Sequence, residues 1–158
     1  MKIGLTIGKY APFHKGHEYL IKIALREVDE LYVMVYETDV TRFTIEERAK
    51  WIEELYPTVN IIYAKNPPGQ YGMDEESVRI QTDYIKEKIG ELKVTHFYSS
   101  EKYGKHVAVA LECMDRRVDS LRKVIPIEAT KIREDLEENK EYLSGNVYEE
   151  IIKNKEKL

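Results

Sequence analysis

The segment that most restricts the fold is Leu31-Tyr32-Val33-Met34-Val35-Tyr36. Its six consecutive apolar, β-branched or aromatic residues leave no polar face, which is the pattern of a parallel strand covered on both sides. Shorter strand-like runs recur along the chain. Residues 2–8 end at Gly8, 59–64 read Val-Asn-Ile-Ile-Tyr-Ala, 94–99 give a fourth strand, and 112–115 offer a short fifth. Helical patterns alternate with them. Between 15 and 28, Leu20, Ile23, Ala24 and Val28 fall at i, i+3, i+4 and i+8. Thr44 and Glu47 form a capping box for a helix running to Tyr56 ahead of Pro57. Asp74 caps a long helix that stops at Gly90, and Tyr103 to Leu111 is a short one. Pro67, Pro68, Gly69 and Gly72 make 66–72 a loop. From Thr130 onward the pattern is helical, with a second cap at Asn146 and Glu149. This alternation predicts an α/β chain on an open parallel sheet, with helices on both faces and a helical C-terminal segment. With no linker, repeat or low-complexity block, residues 1–158 read as one domain.

Charge and cysteine content narrow the function classes. Lys and Arg number 25 against 29 Asp and Glu, a formal charge of −4. Proteins that grip long nucleic acids carry a basic surplus, so the expectation is no nucleic-acid partner, and any polyanion must be small and held by a local pocket. No apolar run reaches the roughly 18 residues of a membrane helix, and Met1 to Gly8 is too short for a signal peptide. Cys113 stands alone, which excludes an internal disulfide or a Cys-rich zinc site. The expectation is a cytoplasmic chain with no membrane partner.

Two motifs carry the chemistry. Gly8-Lys9-Tyr10-Ala11-Pro12-Phe13-His14-Lys15-Gly16-His17 lies where the first strand gives way to the first helix. In an open parallel sheet that carboxyl edge is where ligands bind. A helix N-terminus adds free N–H groups and a partial positive charge suited to phosphate. His14 and His17, three residues apart, can face the same bound anion. Gly8 and Gly16 allow close backbone approach, and Pro12 stiffens the loop. The competing reading makes the histidines polar caps of a turn. The second motif, Pro126-Ile127-Glu128-Ala129-Thr130-Lys131-Ile132-Arg133, is another turn into a helix. Cations in a first helical turn oppose the macrodipole, so Lys131 and Arg133 there call for an anion, a solvated basic turn being the alternative.

Together these segments resemble the nucleotidyltransferase superfamily of the HxGH type, with its early G-x-(F/Y)-x-P-x-H-x-G-H loop and late I-S-x-T-x-I-R-like motif. Within it the chain is most similar to the nicotinamide-mononucleotide (NMN) adenylyltransferase domain of NadR-type proteins. Val28 to Leu31, Arg48 to Trp51, Tyr98 to Glu101, and Val118-Asp119 through Arg122 to Arg133 extend the likeness over nearly the whole chain. The resemblance implies a Rossmann-like fold and direct transfer of AMP from ATP to the phosphate of a mononucleotide, NMN favoured. It also implies Mg2+ arriving with ATP and no covalent intermediate. His14, His17 and Lys9 would act at the reacting phosphates. Gly8, Tyr10, Gly16, Thr130, Lys131 and Arg133 would bind ATP phosphates. Ser99, Ser100, Glu101, Asp119, Arg122 and Tyr71 would shape the nucleotide pocket. Alternatives of the same superfamily are a cytidylyltransferase or a phosphopantetheine adenylyltransferase, and a non-catalytic nucleotide-binding sensor is a rival from another class. A homo-oligomer fits the superfamily.

The chain departs from that pattern in places. Glu128 replaces the usual serine, and a carboxylate beside a triphosphate repels it unless it turns away or pairs with a neighbour such as Lys131. Relatives of this type stack a mid-chain tryptophan on nicotinamide. The one tryptophan here, Trp51, is expected in the core, leaving Tyr71 as the aromatic of that loop. Kinase and repressor roles of NadR-type proteins are not expected of these residues. Arg48 reads as reaching a phosphate or pairing with Glu53 or Glu54, His96 as structural, His106 as surface and Cys113 as a small apolar residue.

Overall fold

A computed structural model of the chain describes residues 1–69 and 71–158. Five strands, β1 (Ile3–Gly8), β2 (Glu30–Tyr36), β3 (Asn60–Ala64), β4 (His96–Ser99) and β5 (Met114–Arg117), form one sheet in the order β3-β2-β1-β4-β5. Every pairing is parallel, and the register runs from Ile3 opposite Glu30 to Gly8 opposite Val35 in the central pair. The chain turns outward in both directions from β1, so the ends of β1 and β4 open a crevice of the kind in which such sheets bind ligands.

Helices cover both faces, as the sequence pattern predicts. Leu31, Val33 and Val35 of β2 pack with α1 (Lys15–Glu27) and α2 (Ile45–Leu55), through Ile21, Ala24, Trp51 and Ile52. Met34, pointing the other way, joins Leu5, Phe97, and Ile85 and Val107 from α3 (Glu75–Ile89) and α4 (Gly104–Ala110). Trp51 is fully buried, with its Nε1 donating to Glu150 Oε2 at 3.1 Å. The expected Thr44–Glu47 capping box and the Asp74 cap are both formed.

Several boundaries shift by a residue or two from the sequence reading, and two of the differences have a physical cause. The fifth strand begins at Met114, because Glu112 takes a φ of +54° and turns the chain before the ladder starts. The helical C-terminal segment divides into α5 (Ala129–Glu134), α6 (Leu136–Asn139) and α7 (Gly145–Lys153). The N-cap of α7 is Ser144; Asn146 lies inside the helix and gives its amide to Trp51 O and Glu54.

Candidate active site

The site grows from the turn after β1. Tyr10 is buried at a φ of +51°, its hydroxyl paired with Thr6, and burial holds the phenol neutral by pushing its pKa upward. Gly8 leaves room for that ring, since a Cβ there would lie 2.9 Å from Tyr10 Cζ. His14 is the N-cap of α1: its Nδ1 accepts from Gly16 N at 3.0 Å and His17 N at 3.4 Å. His17 returns the contact, with its Nδ1 accepting from His14 N at 3.1 Å. This is a capping box built from two imidazoles. The rings stack with centroids 3.6 Å apart, and a Cβ on Gly16 would come within 2.8 Å of His14 Cε1.

That hydrogen-bond network assigns the proton of both rings to Nε2. Burial lowers the pKa of His14 to about 3, with the Arg122 charge adding to the effect. Burial first, then His14 and Arg122, push His17 well below the usual imidazole value. The capping reading of these residues is realised, and the pair keeps two neutral N–H donors besides.

The late motif reaches the same loop. Arg133 donates to Ala11 O at 2.6 Å and to Thr130 Oγ1 at 3.3 Å, across 122 positions in the first case. Ser99, at the end of β4, is buried and donates to Glu101 O at 3.3 Å. Arg122 pairs with Glu101 at 2.6 Å and with Glu128 at 3.3 Å. Glu128 thus finds a cation in Arg122, where the sequence suggested Lys131. Asp119, at a φ of +49°, accepts from Lys123 N, Val124 N and Ile125 N at 2.8–3.0 Å. Burial would raise its carboxyl pKa, but these N–H groups and Arg122 bring it below the usual range. Its carboxylate is committed to shaping the turn before α5.

Two clefts meet over this loop. The first, about 390 Å³, is lined by Gly8, Tyr10, His14, Gly16, His17, Ser99, Ser100, Glu101, Asp119, Arg122 and Thr130 among others. The second, about 480 Å³, is lined by Lys9, Tyr36, Tyr71, Met73 and Arg133, and shares Gly8, Tyr10, His17, Glu101 and Thr130 with the first. Lys9 Nζ lies 5.4 Å from the centre of the exposed Tyr71 ring. Lys131 is exposed and lines neither cleft. Tyr36 and Tyr103 line the site without having been singled out from sequence; Tyr36 is the last residue of β2 and Tyr103 lies beyond the end of β4, where the topology gathers such residues. Arg48 does neither of the things expected of it: it is 1% exposed and donates to backbone carbonyls. Among the described residues no three His, Cys, Asp or Glu side chains form a metal-holding group, and no helix is long and apolar enough to cross a membrane.

Known proteins show the same architecture. The trifunctional NAD biosynthesis/regulator protein NadR of Salmonella typhimurium is 28% identical over 92% of this chain, and that of Escherichia coli 26% over the same share. The chain spans 39% of the length of each of these relatives. A bifunctional NMN adenylyltransferase/ADP ribose pyrophosphatase from Francisella tularensis, solved with AMP and an Mn ion, superposes with a TM-score of 0.69. It is 21% identical, with 96% of this chain and 48% of that one covered. NadR solved with NAD and AMP-PNP gives 0.55 at 22% identity over 89% and 44%. These structures share the fold. Residues 4–118 match the family described as the citrate lyase ligase C-terminal domain, and by that match the chain, nucleotidyltransferase-like in sequence and fold, belongs to it.

Proposed function

We propose that the protein is an adenylyltransferase that moves AMP from ATP to the phosphate of a mononucleotide, with NMN as acceptor and NAD and pyrophosphate as products. The observation that carries this reading is the meeting of two clefts at Gly8, His17 and Thr130. An enzyme that joins two nucleotides through their phosphates needs two base pockets that share the reacting end. ATP occupies the first cleft, beside Ser99, Ser100 and Arg122. The acceptor base occupies the second, against Tyr36 and Tyr71.

In this reaction an oxygen of the acceptor phosphate attacks the α-phosphorus of ATP, the bond from that phosphorus to the β-bridging oxygen breaks, and pyrophosphate leaves with Mg2+. The attacking phosphate is already anionic, so the protein's task is positioning and charge stabilisation rather than proton removal. Neutral Nε2–H groups on His14 and His17 suit that task, donating to oxygens on which charge accumulates. Lys9 steadies a phosphate from the second cleft, Thr130, which lines both clefts, holds the β- and γ-phosphates, and Arg133 reaches those phosphates from the second-cleft side of the shared end. Mg2+ enters as part of the triphosphate substrate, keeping most of its waters. The names of the NadR relatives and of the Francisella protein support the nucleotide assignment.

The test is pyrophosphate release with Mg2+, ATP and NMN, run beside nicotinic acid mononucleotide, phosphopantetheine and CTP. NAD formation from NMN is the expected result. Release only with phosphopantetheine or only with CTP would reassign the acceptor or the nucleotide. Tight ATP binding with no release from any acceptor would make the protein a nucleotide sensor and overturn the reading.

A further inference from the structure

We infer that Arg48 is a positioning residue that holds the Lys9–Tyr10 turn, and with it the acceptor side of the site, in its working shape. This rests on the adenylyltransferase reading. Arg48 sits on α2 and is 1% exposed. A guanidinium buried that deeply is unfavourable unless its donors find partners. Its partners are three backbone carbonyls from three segments. Nε donates to Phe43 O at 3.1 Å, in the loop before α2. Nη1 donates to Tyr36 O at 2.8 Å, at the end of β2, and to Lys9 O, in the turn after β1. No carboxylate is among these hydrogen-bond partners, so the side chain is spent on backbone geometry.

The register gives the contact its meaning. The β1–β2 ladder ends at Gly8 opposite Val35. One residue beyond that last pair stand Lys9, in the turn after β1, and Tyr36, the last residue of β2, and Nη1 joins their two carbonyls just where the ladder stops. Both residues line the second cleft. Immediately beyond Lys9, Tyr10 takes a positive φ that a bulky residue adopts only when its surroundings impose it. Arg133 takes Ala11 O on the far side of Tyr10. The turn is therefore held from both flanks by guanidinium groups, one from α2 and one from α5. Methionine, shorter than arginine and without N–H groups, keeps an unbranched apolar stem in the core and leaves the Lys9 flank unheld.

The experiment compares Arg48→Lys and Arg48→Met in the full chain, with Mg2+, ATP and NMN as probes. The expected result for the Met variant is an NMN KM raised about tenfold or more with an ATP KM within about threefold, since small displacements of a positioning group carry penalties of that size. Lys, which keeps donors but loses the fork, should recover part of the loss. Amide hydrogen exchange across residues 8–14 should quicken in the Met variant while that of β3 stays as in wild type. Unchanged exchange across 8–14 and unchanged NMN KM in a folded variant overturn the inference, as does an equal rise in both KM values with exchange quickened everywhere. If wild type makes no pyrophosphate, the functional reading fails, and the exchange comparison still decides Arg48. Should neither variant fold, the wild-type Arg48 Nε–H resonance serves: it should move on adding NMN and stay fixed on adding ATP alone, and a resonance indifferent to NMN overturns the inference.

Discussion

The Nδ1 atoms of His14 and His17 are both taken up by backbone N–H groups, which leaves each ring one free N–H for the cleft. Capping and chemistry can therefore be separated by substitution. His17→Ala should lower kcat about 100-fold or more, as loss of one preorganised donor does, and should also cost about 1 kcal/mol of stability through the lost cap. His17→Asn keeps an acceptor at the Nδ1 position, so it should hold its melting temperature near wild type and still lose the rate. A His17→Asn protein with wild-type turnover would remove His17 from the reaction. Neutral rings also set a pH dependence. An unfolded histidine binds a proton as pH falls below about 6.5, whereas folded His14, with its pKa near 3, does not. Stability is thus fullest above that value and declines on acidification, by up to about 1.4 kcal/mol per pH unit for each such histidine. The melting temperature should drop from pH 7 to pH 5, and by less in the His14→Asn/His17→Asn double variant. The sequence set these two residues at a helix start, with helix capping and contact to a shared anion as the two readings. It did not show that each would cap the other, because reciprocity depends on ring orientation. Nor did it show Glu128 turning to Arg122, a contact made by the fold of the intervening turn.

At the scale of elements, strand and helix identities were legible because the two periodicities are strong and the glycine and proline breaks stand between them. The edges were less so. β5 pairs on one side only and carries the 57% exposed Met114, so its apolar content marks its position poorly. The α7 cap was misread because Asn146 and Glu149 match the spacing of a capping box, while backbone geometry gives the role to Ser144. One element junction bears directly on the site. Gly104 opens α4 against the end of β4, and a Cβ there would lie 2.1 Å from Ser99 Oγ and 3.1 Å from Ser99 Cβ. Gly104→Ala should therefore cost about 1–3 kcal/mol, the range for overfilling a packed junction, and displace Ser99. Because Ser99 lines only the first cleft, the ATP KM should rise while the NMN KM stays near wild type. Urea denaturation and initial-rate kinetics on one preparation check both halves.

Across the whole molecule, the C-terminal helices close over the face formed by α1 and α2. Val147 and Ile151 are fully buried, Ser144 donates to the buried Glu18 at 2.6 Å, and Lys157 O accepts from Arg42 N and Thr41. Ile151→Ala should cost about 2–5 kcal/mol in urea denaturation, the range for emptying a packed core position. Very little of this docking was legible beforehand, since it depends on contacts between residues up to 126 positions apart. The Arg133–Ala11 contact has a consequence for how the protein comes into being. A ribosome releases the loop bearing both histidines more than a hundred codons before the guanidinium that takes its carbonyl. A nascent chain halted between the two carries the paired histidines on a turn whose second flank has nothing to hold it. That flank is held only once Arg133 has emerged, and a product terminated before that point is left without the contact.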